Sequence, residues 1–196
     1  MAVQRLDKIL ASTGRWSRRE VKLLVRQGRV LADGRPAASP EEKYDPAVTA
    51  LTVDGEDIGY RDVTWLMMNK PGGVLSATED GQGTTVLDLL SPELRRIGLF
   101  TVGRLDKDTE GLLLLTNDGA LARVLTHPSC GIEKEYQVTV LGDTEKAIPM
   151  FEAGMTLEDG FQTAPARVRV IKLIDEKTVL SVVITQGHNR QIRKMC

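Results

Sequence analysis

A helix-start motif at residues 17–20 constrains the fold of this chain more than any other local feature. In Ser17-Arg18-Arg19-Glu20, the serine hydroxyl can accept a hydrogen bond from the glutamate amide, while the glutamate carboxylate reaches back to the serine amide. Val21, Leu24 and Val25 then form an apolar stripe with helical spacing, and Gly28 lies where a helix commonly ends. The pattern predicts a short amphipathic helix with a defined beginning and end.

A second helix and a hairpin complete a small N-terminal unit. Leu6, Ile9 and Leu10 have helical spacing, and Gly14 interrupts that helix. The Asp33-Gly34 and Asp54-Gly55 dipeptides, which are typical of tight hairpin turns, follow the apolar segments 30–32 and 51–53. We therefore predict a compact helix–helix–hairpin domain over residues 1–58. The polar segment 56–63 is interpreted as a linker to a second domain, which begins at residue 64.

The N-terminal unit is strongly basic, although the chain has a net charge of only -1. Residues 1–36 contain nine lysines and arginines against three acidic residues, whereas the remainder contains 17 basic and 24 acidic residues. A Lys/Arg face is commonly only a solvated surface, but acidic residues are missing from this one, which favours contact with nucleic acid. The side chains assigned to that contact are Arg5, Arg15, Arg18, Arg19, Lys22 and Arg26.

The second predicted domain, residues 64–196, combines short apolar strands with a few helices. Strands are predicted over 65–68 (buried), 112–115, 136–140, 168–174 and 179–185, and helices over 86–90 and 120–125. Hairpin-like succession of strands favours an α+β fold with a largely antiparallel sheet and flanking helices. The segment 189–195 begins like a helix and stops at Cys196, so we expect the domain to continue beyond the given sequence.

Residue types exclude several classes of chemistry. Two cysteines and two histidines cannot supply a disulfide framework or a His/Cys metal cluster, so no structural metal is expected. Phosphate-binding glycine loops, the zinc motif HExxH and the serine-hydrolase motif GxSxG are missing from the sequence. No apolar run approaches the roughly 20 residues that span a bilayer, and no signal peptide is expected, so we place the protein in the cytoplasm.

The segment Gly103–Gly111 is the strongest candidate for catalytic residues. It concentrates five charged side chains directly before an apolar strand, which can hold a carboxylate at a rigid position. Arg104, two residues from Asp106, would keep that carboxylate ionised and oriented, as a nucleophile requires. A solvated surface loop is the alternative that composition alone favours.

Two further segments contain residue types suited to RNA. Tyr136 shares a predicted strand face with Val138 and Val140, so it is either a core aromatic or a ring on which a planar base stacks. The segment 186–194 combines a glycine turn, a helix start and several cations, a combination that suits phosphate binding.

These residues resemble the motifs of the RsuA/RluB-type ribosomal RNA pseudouridine synthases. Gly103-Arg104-Leu105-Asp106, Thr109 and the segment Gly111–Gly119 resemble the family's central motif almost residue for residue. The other motifs are resembled by Asn69-Lys70-Pro71-Gly72, by Lys134-Glu135-Tyr136, and by Gly187 with Asn189–Met195. Residues 5–8 and 17–34 resemble the S4 RNA-binding domain that such enzymes carry. The resemblance covers essentially the whole chain, and the motifs occur in the same order as in the family.

The resemblance implies an isomerase that converts a uridine in RNA to pseudouridine without cofactor or metal. The base is detached from C1′, turned and rejoined through C5. Asp106 matches the catalytic aspartate and Arg104 the arginine paired with it. Tyr136 matches the residue that stacks on the target base and is a candidate proton acceptor, and Arg193 matches the basic residue of the last motif. The residues assigned to substrate binding are Ile192, Lys194, Asn69 and Lys70. Because the uridine must reach Asp106, base flipping is implied.

Weaker resemblances bear on the target RNA. Residues 80–90 and 157–166 resemble the small-subunit branch slightly more, so 16S rRNA is the predicted target and 23S rRNA the alternative.

A non-catalytic S4 protein that binds rRNA during ribosome assembly is a competing hypothesis. Only the enzyme needs Asp106, Tyr136 and Arg193 around one pocket. We expect ribosomal RNA or an assembly intermediate as the partner, no membrane association and a monomer.

Overall fold

The computed structural model describes residues 3–142, 144 and 147–196. These residues group into two compact units, the first ending at Ala122 and the second beginning at Arg123. Both contain antiparallel sheets and short helices, which confirms the predicted α+β class. Among the described residues, no helix has the length and apolar character needed to cross a membrane.

The N-terminal part of the first unit packs two helices against a small antiparallel sheet. Helix α1 spans Leu6–Ser12 and helix α2 spans Arg18–Arg26. The sheet has the order β3-β2-β5-β6, and a separate ribbon pairs β1 with β4. Its strands are β1 (Gln4–Arg5), β2 (Val30–Ala32), β3 (Arg35–Pro36), β4 (Lys43–Tyr44), β5 (Leu51–Val53) and β6 (Glu56–Asp57).

The predicted helix-start motif is present in full. The Glu20 amide donates to Ser17 Oγ at 3.3 Å, and the Ser17 amide donates to the Glu20 carboxylate at 2.6 Å. The stripe of Val21, Leu24 and Val25 is buried. Both residues of each Asp-Gly turn have positive φ, the conformation that a tight hairpin requires. Local hydrogen bonding and backbone geometry therefore fix the shape of this part.

The interpretation of residues 56–63 as a linker is wrong for its first half. The turn at Asp54-Gly55 sends the chain back along β5, so Glu56–Asp57 form strand β6. Ile58 is buried in the same core as the two helices, and Tyr60 packs against that core.

The α1–α2 turn also lies close to the next part of the first unit. A Cβ built at Gly14, where φ is +77°, would lie 2.1 Å from the carbonyl oxygen of Glu93. Glu93 belongs to helix α3, which spans Pro92–Arg96. Only a glycine permits this approach, because any side chain would overlap the Glu93 backbone.

A three-stranded antiparallel sheet dominates the remainder of the first unit, in the order β7-β9-β8. Its strands are β7 (Trp65–Lys70), β8 (Phe100–Val102) and β9 (Gly111–Thr116), and a 3₁₀ turn covers Val86–Leu89. One face packs on the core through Leu113 and Leu115. The expectation that the strand around residues 65–68 is buried is wrong for Met67, which is 79% exposed. Alternating side chains point to opposite faces of a strand, and Met67 lies on the face away from that core.

The second unit is built on a three-stranded antiparallel sheet in the order β10-β12-β11. Its strands are β10 (Lys134–Leu141), β11 (Arg167–Ile174) and β12 (Lys177–Ile184). The helices that complete the chain are α4 (Gly119–Thr126), which begins in the first unit, α5 (Ile148–Ala153) and α6 (Gln191–Met195), with a 3₁₀ turn over Pro128–Cys130. Phe151, Leu180, Val182 and Met195 form the centre of its core.

Candidate active site

Asp106 lies on the loop that joins β8 to β9 and is half-buried. The Thr109 amide donates to the Asp106 carbonyl at 3.0 Å, which closes a tight turn. On the other side, Ser76 Oγ donates to the Leu105 carbonyl at 2.8 Å and accepts from the Leu105 amide at 3.1 Å. The backbone is therefore held both before and after Asp106.

A buried lysine supports this loop. Lys70 is completely inaccessible to solvent, and its Nζ donates to the carbonyl oxygens of Pro71 at 3.0 Å, Lys107 at 2.9 Å and Thr109 at 2.8 Å. Burial lowers the pKa of Lys70, and the nearby carboxylates of Asp108, Glu110 and Asp106 oppose that shift. An ammonium group has three donors, and all are used on the backbone.

This geometry does not fit the substrate-binding role predicted for Lys70, because no donor remains for a ligand. The side chain instead fixes the loop that carries Asp106. Its neighbour in the motif, Asn69, is exposed on β7, opposite Leu112.

The predicted pairing of Arg104 with Asp106 is not formed. Arg104 is exposed, and no ion pair joins the two side chains in the described part of the chain. Leu105 packs against the core of the first unit, and Arg104 extends into water beside it. An exposed ion pair contributes little, because ordering a long side chain costs about what the attraction provides. The Arg104 guanidinium is therefore accessible to an external anion.

The second unit brings Tyr136 and Ile192 to one apolar cluster. Tyr136 begins the core-facing stripe of β10, ahead of Val138 and Val140, and Ile192 of α6 packs against the same cluster. Both are half-buried. The two residues that the sequence predicts to contact a base are thus placed on a common, partly accessible apolar surface.

Helix α6 directs its two cations differently. Gln191 and Met195, one turn apart, are buried, whereas Arg193 is exposed on the opposite side. Lys194 Nζ instead lies 2.5 Å from Asp159 Oδ2, so the lysine predicted to bind substrate is paired within the protein. Sequence reasoning places Asp159 only in a segment that marks a subfamily. Its side-chain partners, His188 and Lys194, are 29 and 35 positions away, so no local pattern points to these contacts.

The predicted RNA-binding residues divide into two groups. Arg5 makes a two-pronged contact with Asp7 at 3.0 and 2.9 Å, and Arg15 pairs with Glu56 at 3.0 Å. These two guanidinium groups are engaged within the domain. The other four residues lie on α2, are exposed, and form no salt bridge within the described chain: Arg18, Arg19, Lys22 and Arg26.

Two of these cations oppose the helix dipole. Arg18 and Arg19 stand in the first turn of α2, where positive charge is disfavoured by roughly 0.3–1 kcal/mol. Stability alone would therefore select against them at these positions. A bound polyanion would offset this cost.

Among the residues that the structure describes, no group of three or more His, Cys, Asp or Glu side chains could hold a metal ion. The available functional groups are a loop-held carboxylate, exposed guanidiniums and a tyrosine beside an apolar surface. This set suits chemistry on a polyanionic substrate.

Comparison with known proteins identifies that chemistry. Residues 64–196 match the model of a family described as RNA pseudouridylate synthase. The chain belongs to this family. It is an RNA pseudouridine synthase, an isomerase, and residues 4–47 match the S4 domain. These findings confirm the resemblance seen in the sequence and decide against a non-catalytic S4 protein.

Known relatives of this pseudouridine synthase match over nearly its whole length. A Bacillus subtilis (strain 168) protein named "Uncharacterized RNA pseudouridine synthase YtzG" is 46% identical over 97% of this chain and 80% of its own length. "Ribosomal large subunit pseudouridine synthase B" of the same organism is 36% identical over 98% of this chain and 79% of its own. A solved structure titled "Crystal structure of pseudouridylate synthase" aligns with a TM-score of 0.60 at 26% identity, covering 98% of this chain and 81% of that one.

Proposed function

We propose that this pseudouridine synthase isomerises one uridine of ribosomal RNA in the cytoplasm, acting as a monomer. Residues 1–58 serve as its RNA-binding domain and residues 64–196 as its catalytic domain. The observation that carries the proposal is Asp106 on a loop fixed from beneath by the fully buried Lys70. Such a frame suits a carboxylate that must meet one sugar carbon in a defined geometry.

The reaction requires few groups because product and substrate are isomers. The N1–C1′ bond breaks, the base turns, a C5–C1′ bond forms, the C5 proton leaves and N1 gains a proton. In our proposal, Asp106 acts on the sugar. Tyr136 and Ile192 contact the base, with Tyr136 as candidate acceptor of the C5 proton. The atoms and electrons of this reaction balance without an oxidant, a reductant or a group donor.

The remaining cations are proposed to hold the RNA. Arg104 is accessible beside Asp106 and contacts the RNA around the flipped nucleotide. Arg193 contributes positive charge at the catalytic site. The exposed face of α2 binds phosphates, whose attraction offsets the few kcal/mol that unstacking a nucleotide costs.

Large-subunit rRNA is the first target to test. The "Ribosomal large subunit pseudouridine synthase B" proteins of Bacillus subtilis and of Yersinia pestis are 36% and 37% identical to this chain. The small-subunit rRNA suggested by residues 80–90 and 157–166 is the second candidate. Both rRNAs can be examined in one experiment.

That experiment maps pseudouridines in 16S and 23S rRNA from a strain lacking the gene. We expect one rRNA pseudouridine to disappear and to return when the wild-type gene is restored, but not when an Asp106→Asn copy is supplied. The rRNA carrying the affected site identifies the target. Unchanged maps of both rRNAs, with another RNA losing a pseudouridine, would contradict the proposal.

A further inference from the structure

We propose that Asp159 is a positioning residue that holds helix α6 and thereby fixes Arg193 for isomerisation. The proposal rests on the function proposed for Arg193 and extends it to a residue outside the recognised motifs. All the contacts that carry it lie within the second unit.

The Asp159 carboxylate joins three parts of this unit. Its Oδ2 lies 2.5 Å from Lys194 Nζ and 2.8 Å from His188 Nε2, while its Oδ1 accepts from the Phe161 amide at 3.1 Å. Lys194 above all, then His188 and the Phe161 amide, hold the pKa of Asp159 well below its usual range. The group is therefore ionised at physiological pH, attracts the Lys194 ammonium and binds the His188 ring.

A ring contact supports the same link. The His188 and Phe161 rings stack with centroids 4.0 Å apart and planes 5° from parallel. Phe161 and Asp159 flank the turn at Gly160, and His188 lies just before α6. Beyond the ring, the His188 amide donates to the side chain of buried Gln191 at 3.1 Å. The approach to α6 is thus held by charge, stacking and hydrogen bonding.

Helix α6 depends on such contacts for its orientation. It has five residues, and a helix this short is not stable by itself. Arg190, at its start, has the left-handed φ of 52°, which an arginine adopts only when its surroundings hold it there.

Successive residues on a helix are rotated by about 100°, so Ile192 and Lys194 flank Arg193. Ile192 is held by the apolar core and Lys194 by Asp159. Without the Asp159 contact, α6 would still be held on its buried side by Gln191, Ile192 and Met195, but its outer side could shift and move the Arg193 guanidinium.

The test compares Asp159→Asn with the wild type on an RNA that the wild type converts. Asparagine keeps the acceptor for the Phe161 amide, so the turn is preserved, but removes the charge that holds Lys194 and His188. We expect kcat to fall about tenfold with an unchanged KM, because misplacing a group by a fraction of an ångström acts on the chemical step. Glu158→Gln is the matched control, since this exposed neighbour has no hydrogen bond or ion pair in the described chain.

A double-mutant cycle separates positioning from a general loss of stability. Lys194→Met should lower kcat similarly, and the double variant should lose no more than either single variant, because both changes break one contact. Lys194→Met also tests the contact between Asp159 and Lys194 if Asp159→Asn fails to fold. Three results would overturn the proposed positioning role of Asp159: a wild-type kcat for either single variant, losses of kcat that add in the double variant, or a raised KM with kcat unchanged. A wild type inactive on rRNA but active on another RNA would contradict only the proposed target.

Discussion

The S4 domain and the loop that carries Asp106 place functional charges in opposite ways. On α2, four cations are exposed and form no salt bridge within the described chain. Around Asp106, Lys70 and Ser76 fix the backbone through four hydrogen bonds, and Lys70 is completely buried. One region leaves its charged side chains exposed to solvent, and the other fixes the backbone beside its charged side chain.

The difference follows from what each region must do. Attraction to phosphates acts over about 10 Å at 0.1 M salt and tolerates mobile side chains. A carboxylate that reacts at one carbon gains from being fixed, because a misplacement of about 1 Å can cost about a hundredfold in rate. Burying the Lys70 ammonium is costly, and its three carbonyl partners offset that cost. The molecule thus places rigid, buried polar contacts where chemistry occurs and simple exposed charge where RNA binds.

Lys70→Met should have the largest effect on stability. Methionine keeps an apolar stem but removes the Nζ donor from three partly buried carbonyls, including that of Lys107, which also accepts from the Gly73 amide. We expect the free energy of unfolding to fall by on the order of 3 kcal/mol. The loop should loosen, and kcat should fall about a hundredfold. RNA affinity should change little, because the α2 face is intact. Urea unfolding, single-turnover kinetics and filter binding measure the three quantities.

Lys172→Met is the matched control for that experiment. This lysine is exposed on β11, so the same substitution should leave stability and turnover near wild type. Wild-type turnover by folded Lys70→Met would break the comparison, because the loop would then not need its buried support.

Gly14→Ala tests whether the S4 domain is joined to α3 by direct contact. Gly14 and Gly28 both have left-handed backbones, with φ of +77° and +70°, but only Gly14 lies against Glu93. Both alanine variants incur conformational strain, and only Gly14→Ala adds overlap. We expect its free energy of unfolding to fall about 1–2 kcal/mol further than that of Gly28→Ala. Equal losses in urea denaturation would show that the two parts are connected by the chain alone.

Replacing Arg19, Lys22 and Arg26 with glutamine should have the smallest effect on stability, within about 0.5 kcal/mol, because these side chains are exposed. RNA affinity should fall. The slope of log affinity against log salt should shrink by up to about one unit for each phosphate that the variant no longer binds. Filter binding of an rRNA fragment at several salt concentrations provides the measurement. An unchanged slope would show that this face is only a solvated surface.

The sequence predicted best those features that depend on neighbouring residues. The Ser17–Glu20 capping box and the Asp-Gly turns involve contacts within a few positions, so their geometry follows from local chemistry. Lys70 contacts carbonyls 37 and 39 positions away, and Asp159 contacts a lysine 35 positions away. Nothing in the sequence around Lys70 shows that it is buried rather than facing a substrate.

The site residues are predicted through family resemblance, which supplies roles but no contacts. It singles out Asp106 and Arg104 together, yet it does not show that Arg104 extends into solvent without pairing with Asp106. Which side chain is buried depends on packing between distant segments. The same limit explains Met67, because an apolar segment does not reveal which face of its strand meets the core.

Asp106→Asn tests the central claim most directly. The substitution is nearly isosteric, and Lys70 and Ser76 hold the loop through its backbone, so the variant should fold and bind RNA like the wild type. The measurement is tritium release from RNA labelled at C5 of uridine, beside the affinity for the same RNA. We predict no release above background with affinity retained, because phosphate contacts dominate binding. Appreciable release by the asparagine variant would contradict the assignment of Asp106 as the catalytic carboxylate.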